Sequence, residues 1–383
     1  MKLHFERAEY ERRLARTAEA IAAAGLDGLV IFKQESMYYL TGYDTAGYAM
    51  FQAMYLGADG TLSLLTRSAD AYQAAYTSII EDIRIWADRE GATPGDDLRA
   101  MLEDQGCRGK RLGVEYHAYG LTAQRGRMVD AALDGFCSLE DASDVVRLVR
   151  LVKSEAEIAC VRRAGALADA ALAVANREAR PGADMGAIYG RMMSAVMEGG
   201  GDPPASRWPM GPGADALLVR YHTDLGTVGD DDQVTFEFGG AYRHYHAALM
   251  HTVMTGRPGS EHRRMFEACR AALEACEAVL RPGRTVGELY DEHARVLTEH
   301  GFGGHMLKAC GYTLGIAYPP TWMDWPMFWT GNPQPFEPGM VFFMHMILID
   351  REAGRTMSLG ETAIVTEGAC EPVCHAPRDL VVN

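Results

Sequence analysis

The stretch VTFEFGGAYRHYHAALMHTVMTG, Val234–Gly256, holds two apolar runs on either side of a polar turn. Residues 233–238 and 245–254 read as paired strands, with His244 in the turn between them. Glu237 stands between Phe236 and Phe238, close upstream of His244, His246 and His251. A carboxylate beside imidazoles usually suggests a metal, so the function turns on whether this hairpin binds one.

Helices are expected at 154–178 and 184–199 before the hairpin and at 259–280 and 285–300 after it. Further strands are expected at 217–221, 340–349 and 357–366. Ser154 with Glu157 three residues later is a capping box that opens the first helix, and Pro181-Gly182 closes it. The turns RPGADMGAIY at 180 and RPGRTVGELY at 281 echo each other, which points to an internally duplicated α+β domain. The texture differs toward the start of the chain. An amphipathic helix at 7–24 ends at Gly25 and leads into strand GLVIF at 28–32. Apolar strands at 50–56, 61–66 and 111–114 alternate with helical stretches near 68–80, 95–105 and 121–133. That alternation predicts a small α/β unit over residues 1–152, followed by the α+β domain over 153–383.

The chain has 383 residues, 48% of them hydrophobic, enough for two ordinary cores. A formal charge of −15 argues against nucleic acid and anionic membrane as partners. Neutral or cationic small substrates fit that balance better. The start MKLHFERAEYERRL lacks the apolar core of a signal peptide, and no apolar run is long enough to span a bilayer, so a soluble, cytoplasmic protein is expected. The eight cysteines are scattered without paired CxxC spacing, and Cys370, Cys374 and His375 offer three ligands without a visible fourth. Reduced structural thiols are the expectation, not zinc.

The order of helices and strands, the hairpin around Glu237, the loop GYTLGIAYPPTW and the strands PGMVFFMHMILI and MSLGETAIVTE together resemble the peptidase M24 family. This is the creatinase, prolidase and methionine aminopeptidase group with the pita-bread fold. MYYLTGYD at 37–44 and RLVKSEAEI at 150–158 resemble the creatinase/prolidase N-terminal domain. The resemblance implies an α/β N-terminal domain and an α+β pita-bread catalytic domain. The family's metallopeptidases hold two metal ions on two aspartates, a loop histidine and two glutamates. Carried over, those positions fall on Glu237, Ala248, Tyr312, His345 and Gly360. That set cannot supply the oxygen-rich shell that hard divalent ions need, so no metal and no other cofactor is expected.

Strand alternation leads to the same answer. If Glu237 and position 248 face one cavity, His246, Ala248 and Met250 point into it and His251 points away. Two metal-independent branches of the family, ectoine hydrolase and creatinase, resemble this chain more than the peptidases do. Ectoine hydrolase is the nearer of the two through FEFGGAYRHYH, GYTLGIAYPPTW and PGMVFFMHM. In both branches a general acid/base histidine lies seventeen residues before the Glu237 position, and that count lands on Arg220, two residues from His222. Either His222 does that job, or Arg220 replaces it and clamps a substrate carboxylate instead. Creatinase's Phe-x-Arg, which reaches the partner subunit's site, corresponds to Tyr48 and Met50, which argues against creatine as substrate.

The expected catalytic groups are Glu237, as nucleophile or as base, with His222, His345 and Glu361. Glu361 would balance a cationic substrate, and its alternative is a surface glutamate. His345 stands where the family keeps a site glutamate, and its alternative is a core histidine. Expected substrate-binding groups are Tyr48, Arg220, His246, Tyr312, Trp322, Asp324 and Trp325. The aromatic members would cage a planar cation, or simply pack a dimer interface. The resulting expectation is a homodimeric, metal-independent hydrolase of a C–N bond in a small zwitterionic or cationic nitrogen metabolite, with the Tyr48 region near the partner's site. The rivals are an Xaa-Pro dipeptidase with metals, a lyase of the same fold, and a binder without catalysis.

Overall fold

The computed structural model describes residues 2–91 and 93–383, and the chain divides between Leu151 and Val152 into two compact units. The N-terminal unit is built on a mixed sheet. From one edge its strands run Asp82–Trp86, Leu62–Arg67, Ala53–Gly57, Gly28–Ile31, Arg111–Val114 and Ser138–Asp141. Gly28–Ile31, buried along its whole length, pairs antiparallel with Ala53–Gly57 and parallel with Arg111–Val114. Val30, Leu112, Leu98 and Val129 pack into its core. The edge strands 82–86 and 138–141 were not among the expected elements: in the first, Ile83 and Ile85 alternate with Asp82 and Arg84 over only five residues, and the second has one apolar residue, Leu139. The helix Gln34–Thr41 was illegible for the opposite reason: every residue in it is buried, so no polar face marks the helical period.

The C-terminal unit carries a sheet that is antiparallel except where Val381–Val382 joins Tyr245–Met254 in parallel. Its main strands run, in spatial order, Asp324–Met327, Gly311–Thr313, Val341–Asp350, Arg355–Ile364, Tyr245–Met254, Gln233–Tyr242 and Met210–Pro212. Helices Glu155–Glu178, Met185–Glu198, Ser260–Val279 and Val286–Glu299 occupy the spans their periodicity predicts. The Ser154 capping box forms, with Ser154 N–H donating to the Glu157 carboxylate at 2.9 Å. The other Glu157 oxygen accepts from the Tyr245 hydroxyl at 2.8 Å, tying the helix to the hairpin. Both echoed turns do the same work. Gly182 and Gly283 take positive φ, and Asp184 and Thr285 then cap the next helix.

The hairpin pairs Gln233–Tyr242 with Tyr245–Met254 around Arg243 and His244, both at positive φ, as a two-residue turn of primed type requires. Helix Glu155–Glu178 lies so close to the hairpin that a Cβ on Gly240 would stand 2.1 Å from the Ala164 carbonyl oxygen. The strand expected at 217–221 does not form. Asp215–Leu217 is a single 3-10 turn, and the pairing edge of the Glu237 strand is taken instead by Met210–Pro212. Leu218 and Tyr221, the apolar residues behind that expectation, are exposed. Among the described residues no helix is long and apolar enough to cross a membrane, and the cysteines are free thiols.

Candidate active site

Four strands bring one row of residues together. Glu237 pairs with Met250, Met250 with Gly360, and Gly360 with His345. Paired residues on antiparallel strands share a face, so Glu237 and His345 look out from the same side of the sheet. Ala248 lies two pairs further along and so on the same face, opposite Gly239. The Thr362 hydroxyl both accepts from Ala248 N–H at 2.9 Å and donates to Ala248 O at 2.8 Å, stitching the two strands where they part. Tyr312, opposite Phe343 on the neighbouring strand, completes the set.

Above this row opens a cavity of about 960 Å³, whose lining includes Glu237, Tyr312, Trp322, His345, Arg220 and His222. Glu237 is half-buried at its floor, and its surroundings push its pKa up to about 7. Burial is the main cause, opposed by the Arg220 guanidinium and the Tyr312 hydroxyl. Trp322 Nε1–H donates to the Tyr312 oxygen at 2.8 Å. That leaves the phenolic proton for Glu237 Oε1, at a long 3.5 Å. The phenol itself is held neutral, its pKa far raised by burial and by Glu237. His345 is also held neutral, with a pKa near 3 caused first by burial and then by His293, and its Nδ1 has no hydrogen-bond partner.

Arg220 and His222 have separate tasks. An arginine N–H can only donate, so Arg207 Nη1 donates to His222 Nε2 at 3.1 Å, and His222 Nδ1–H then donates to Arg220 O at 3.2 Å. Both imidazole nitrogens are thereby engaged, while the Arg220 guanidinium is the group whose charge reaches Glu237, Tyr312 and His345.

Other expected residues stand elsewhere. Glu361 is the neighbour of Gly360 on its strand, so it projects from the opposite face. There it accepts from Thr362 N–H at 3.0 Å and from Arg378 at 3.3 Å, beside Cys374 and Leu172, away from the Glu237 cavity. Burial raises its pKa to about 8. His251 is on that same side. His246 does lie on the cavity face, but its ring is buried behind the wall. Nε2 accepts from Ala205 N–H at 2.9 Å, and burial lowers its pKa to about 4. It positions the 203–207 segment rather than meeting a ligand. Asp324 stands opposite Thr313 across an irregular pairing, and Trp325 is 40% exposed; neither lines the cavity. Tyr48 belongs to the N-terminal unit, in the 3-10 turn Gly47–Ala49. Sequence reasoning missed Arg207 and Lys308, since neither sits in a motif; only the lining shows them.

The residues present do not fit a pair of divalent ions. Of the five positions in question only Glu237 is a carboxylate, and Ala248 and Gly360 have no donor at all. A side chain at 360 would also require the Phe343 ring to move, because a Cβ there would lie 2.9 Å from that ring and 3.1 Å from Met250 Cβ. Among the described residues no three His, Cys, Asp or Glu side chains gather as a metal shell.

Comparison with known proteins adds the lineage. Metallopeptidase family M24 matches residues 159–367, and the creatinase/prolidase N-terminal domain matches residues 13–152. An uncharacterised hydrolase/peptidase of Sinorhizobium fredii is 30% identical, over 100% of this chain and 99% of its own. The ectoine hydrolase of Halomonas elongata is 28% identical, over 100% and 99%. In fold, the chain resembles the crystal structure of dipeptidase PepE from Mycobacterium ulcerans, with a TM-score of 0.86 over 99% of both chains at 24% identity.

Proposed function

The chain belongs to metallopeptidase family M24, and from that premise we propose a hydrolase that breaks a C–N bond of a small amide or amidine without using metal ions. The observation that carries this reading is Glu237, the one carboxylate left in the row, at the cavity floor with a pKa near 7. A carboxyl group with that pKa is poised to take and return a proton at neutral pH. In the proposed cycle the Glu237 carboxylate removes a proton from water as the water oxygen bonds to the amide or amidine carbon. The Arg220 guanidinium balances the charge that develops on the carbon's substituent. Glu237 then returns the proton to the nitrogen as the C–N bond breaks, so the carbon gains OH and the nitrogen gains H. The Tyr312 phenol, oriented by Trp322, holds the carboxylate in line. The similarity to an ectoine hydrolase along the full chain supports a cyclic or acylated nitrogen metabolite as substrate.

Purified protein assayed with ectoine, hydroxyectoine, creatine and Ala-Pro, with and without chelator, tests the proposal. The expected result is chelator-resistant turnover of a non-peptide substrate, lowered roughly 100- to 10,000-fold by Glu237→Gln. Chelator-sensitive cleavage of Ala-Pro with stoichiometric divalent metal would show a dipeptidase instead.

A further inference from the structure

Sequence composition favours a neutral or cationic substrate, yet the cavity lining has the opposite sign. Arg207, Arg220 and Lys308 border it, against the single carboxylate of Glu237. The chain as a whole has 37 basic and 52 acidic residues, so three cations to one acid is a local inversion, not a reflection of composition. Among the described residues none of the three cations is ion-paired; Arg207 contacts His222, and Arg220 influences Glu237 without touching it. His222 acts as a strut, one nitrogen on the Arg207 guanidinium and the other on the Arg220 carbonyl. The planar guanidinium fork of Arg207 matches a carboxylate, while the charge of Arg220 acts on Glu237.

The remaining wall is apolar. Met193, Pro203, Pro204, Met323, Met327 and Ile347 line it. A small cyclic zwitterion would leave most of the roughly 960 Å³ to water.

Resting on the C–N hydrolase reading, we propose that the substrate is an N-acylated amino acid, its carboxylate held by Arg207, with Arg220 left for the reacting carbonyl, and its apolar acyl chain laid against the methionine and proline wall. The amide carbon then lies over Glu237. Hydrolysis transfers OH from water to the acyl carbon and H to the nitrogen, releasing a carboxylic acid and an amino acid with no change of oxidation state.

The test measures binding separately from turnover. Isothermal titration of the Glu237→Gln protein, shown to be folded by its melting curve, compares N-hexanoylglycine, N-hexanoylglycinamide and N-acetylglycine. The acid should bind roughly 10- to 100-fold more tightly than the neutral amide. It should also bind at least about 10-fold more tightly than the acetyl compound, through the buried methylenes. Adding Arg207→Gln should remove most of the advantage of the acid while costing the amide much less. Equal affinity for acid and amide, equal affinity for hexanoyl and acetyl, or equal loss for acid and amide in the Arg207→Gln protein would each overturn the assignment. Turnover by the unmodified protein separates the two readings. Hydrolysis of ectoine without binding of acylglycines sinks the substrate class alone; Arg207-dependent binding of acylglycines with no hydrolysis of any amide sinks the hydrolase reading alone.

Discussion

At the scale of single residues, Glu237 sets the pH behaviour. Its pKa is raised from 4.5 to about 7, so the folded state prefers the protonated form more strongly than the unfolded chain does. If the ionised form is the working base, kcat/KM rises with pH through an inflection near 7. Removing a group that lowers the pKa moves that inflection upward, so Tyr312→Phe should shift the profile to higher pH. An unmoved inflection would show that Tyr312 does not tune the base. The same shift has a stability consequence of defined sign. Below pH 4.5 both states are protonated and the residue costs nothing, whereas above pH 7 its ionisation in the folded state costs up to about 3 kcal/mol. Glu237→Gln should therefore gain stability relative to the native chain as pH rises from 5 to 8, which thermal melts across that range would reveal.

At the scale of elements, close approaches decide what each strand tolerates. Gly240 faces helix backbone, at 2.1 Å from a hypothetical Cβ, whereas Gly360 faces the edge of the Phe343 ring at 2.9 Å. A ring can turn aside but a helix carbonyl cannot, so Gly240→Ala should destabilise more than Gly360→Ala. The latter is expected to cost about 1–3 kcal/mol in urea unfolding. Strand alternation was the strongest site signal in the sequence. It places His246 and Ala248 on the face of Glu237 and His251 on the other, as the structure does. The same rule applied to Gly360 puts its neighbour Glu361 on the far face, so that displacement was legible as well. Asp324 was not, because the irregular pairing at Tyr312 and Thr313 breaks the alternation.

At the scale of the molecule, metal dependence is the decisive property. Because Tyr312 and His345 stay in the row and the Phe343 ring must move to admit a side chain at 360, the Ala248→Asp, Gly360→Glu double variant should still fail to take up two divalent ions. Metal analysis by mass spectrometry checks this, and two equivalents bound would refute it. Local sequence sufficed for the two-domain α/β and α+β architecture, the four long helices and the Ser154 capping box that opens the first of them. Those features are written in local periodicity, turn chemistry and residue identity. It took the packed chain to add Arg207 and Lys308 to the cavity and to take Glu361, Asp324 and Trp325 out of it, and Trp322 reaches Glu237 from 85 residues further along. Periodicity gives the face a residue occupies on its own element, whereas cavity sign and size arise from where distant loops pack, which no local pattern encodes.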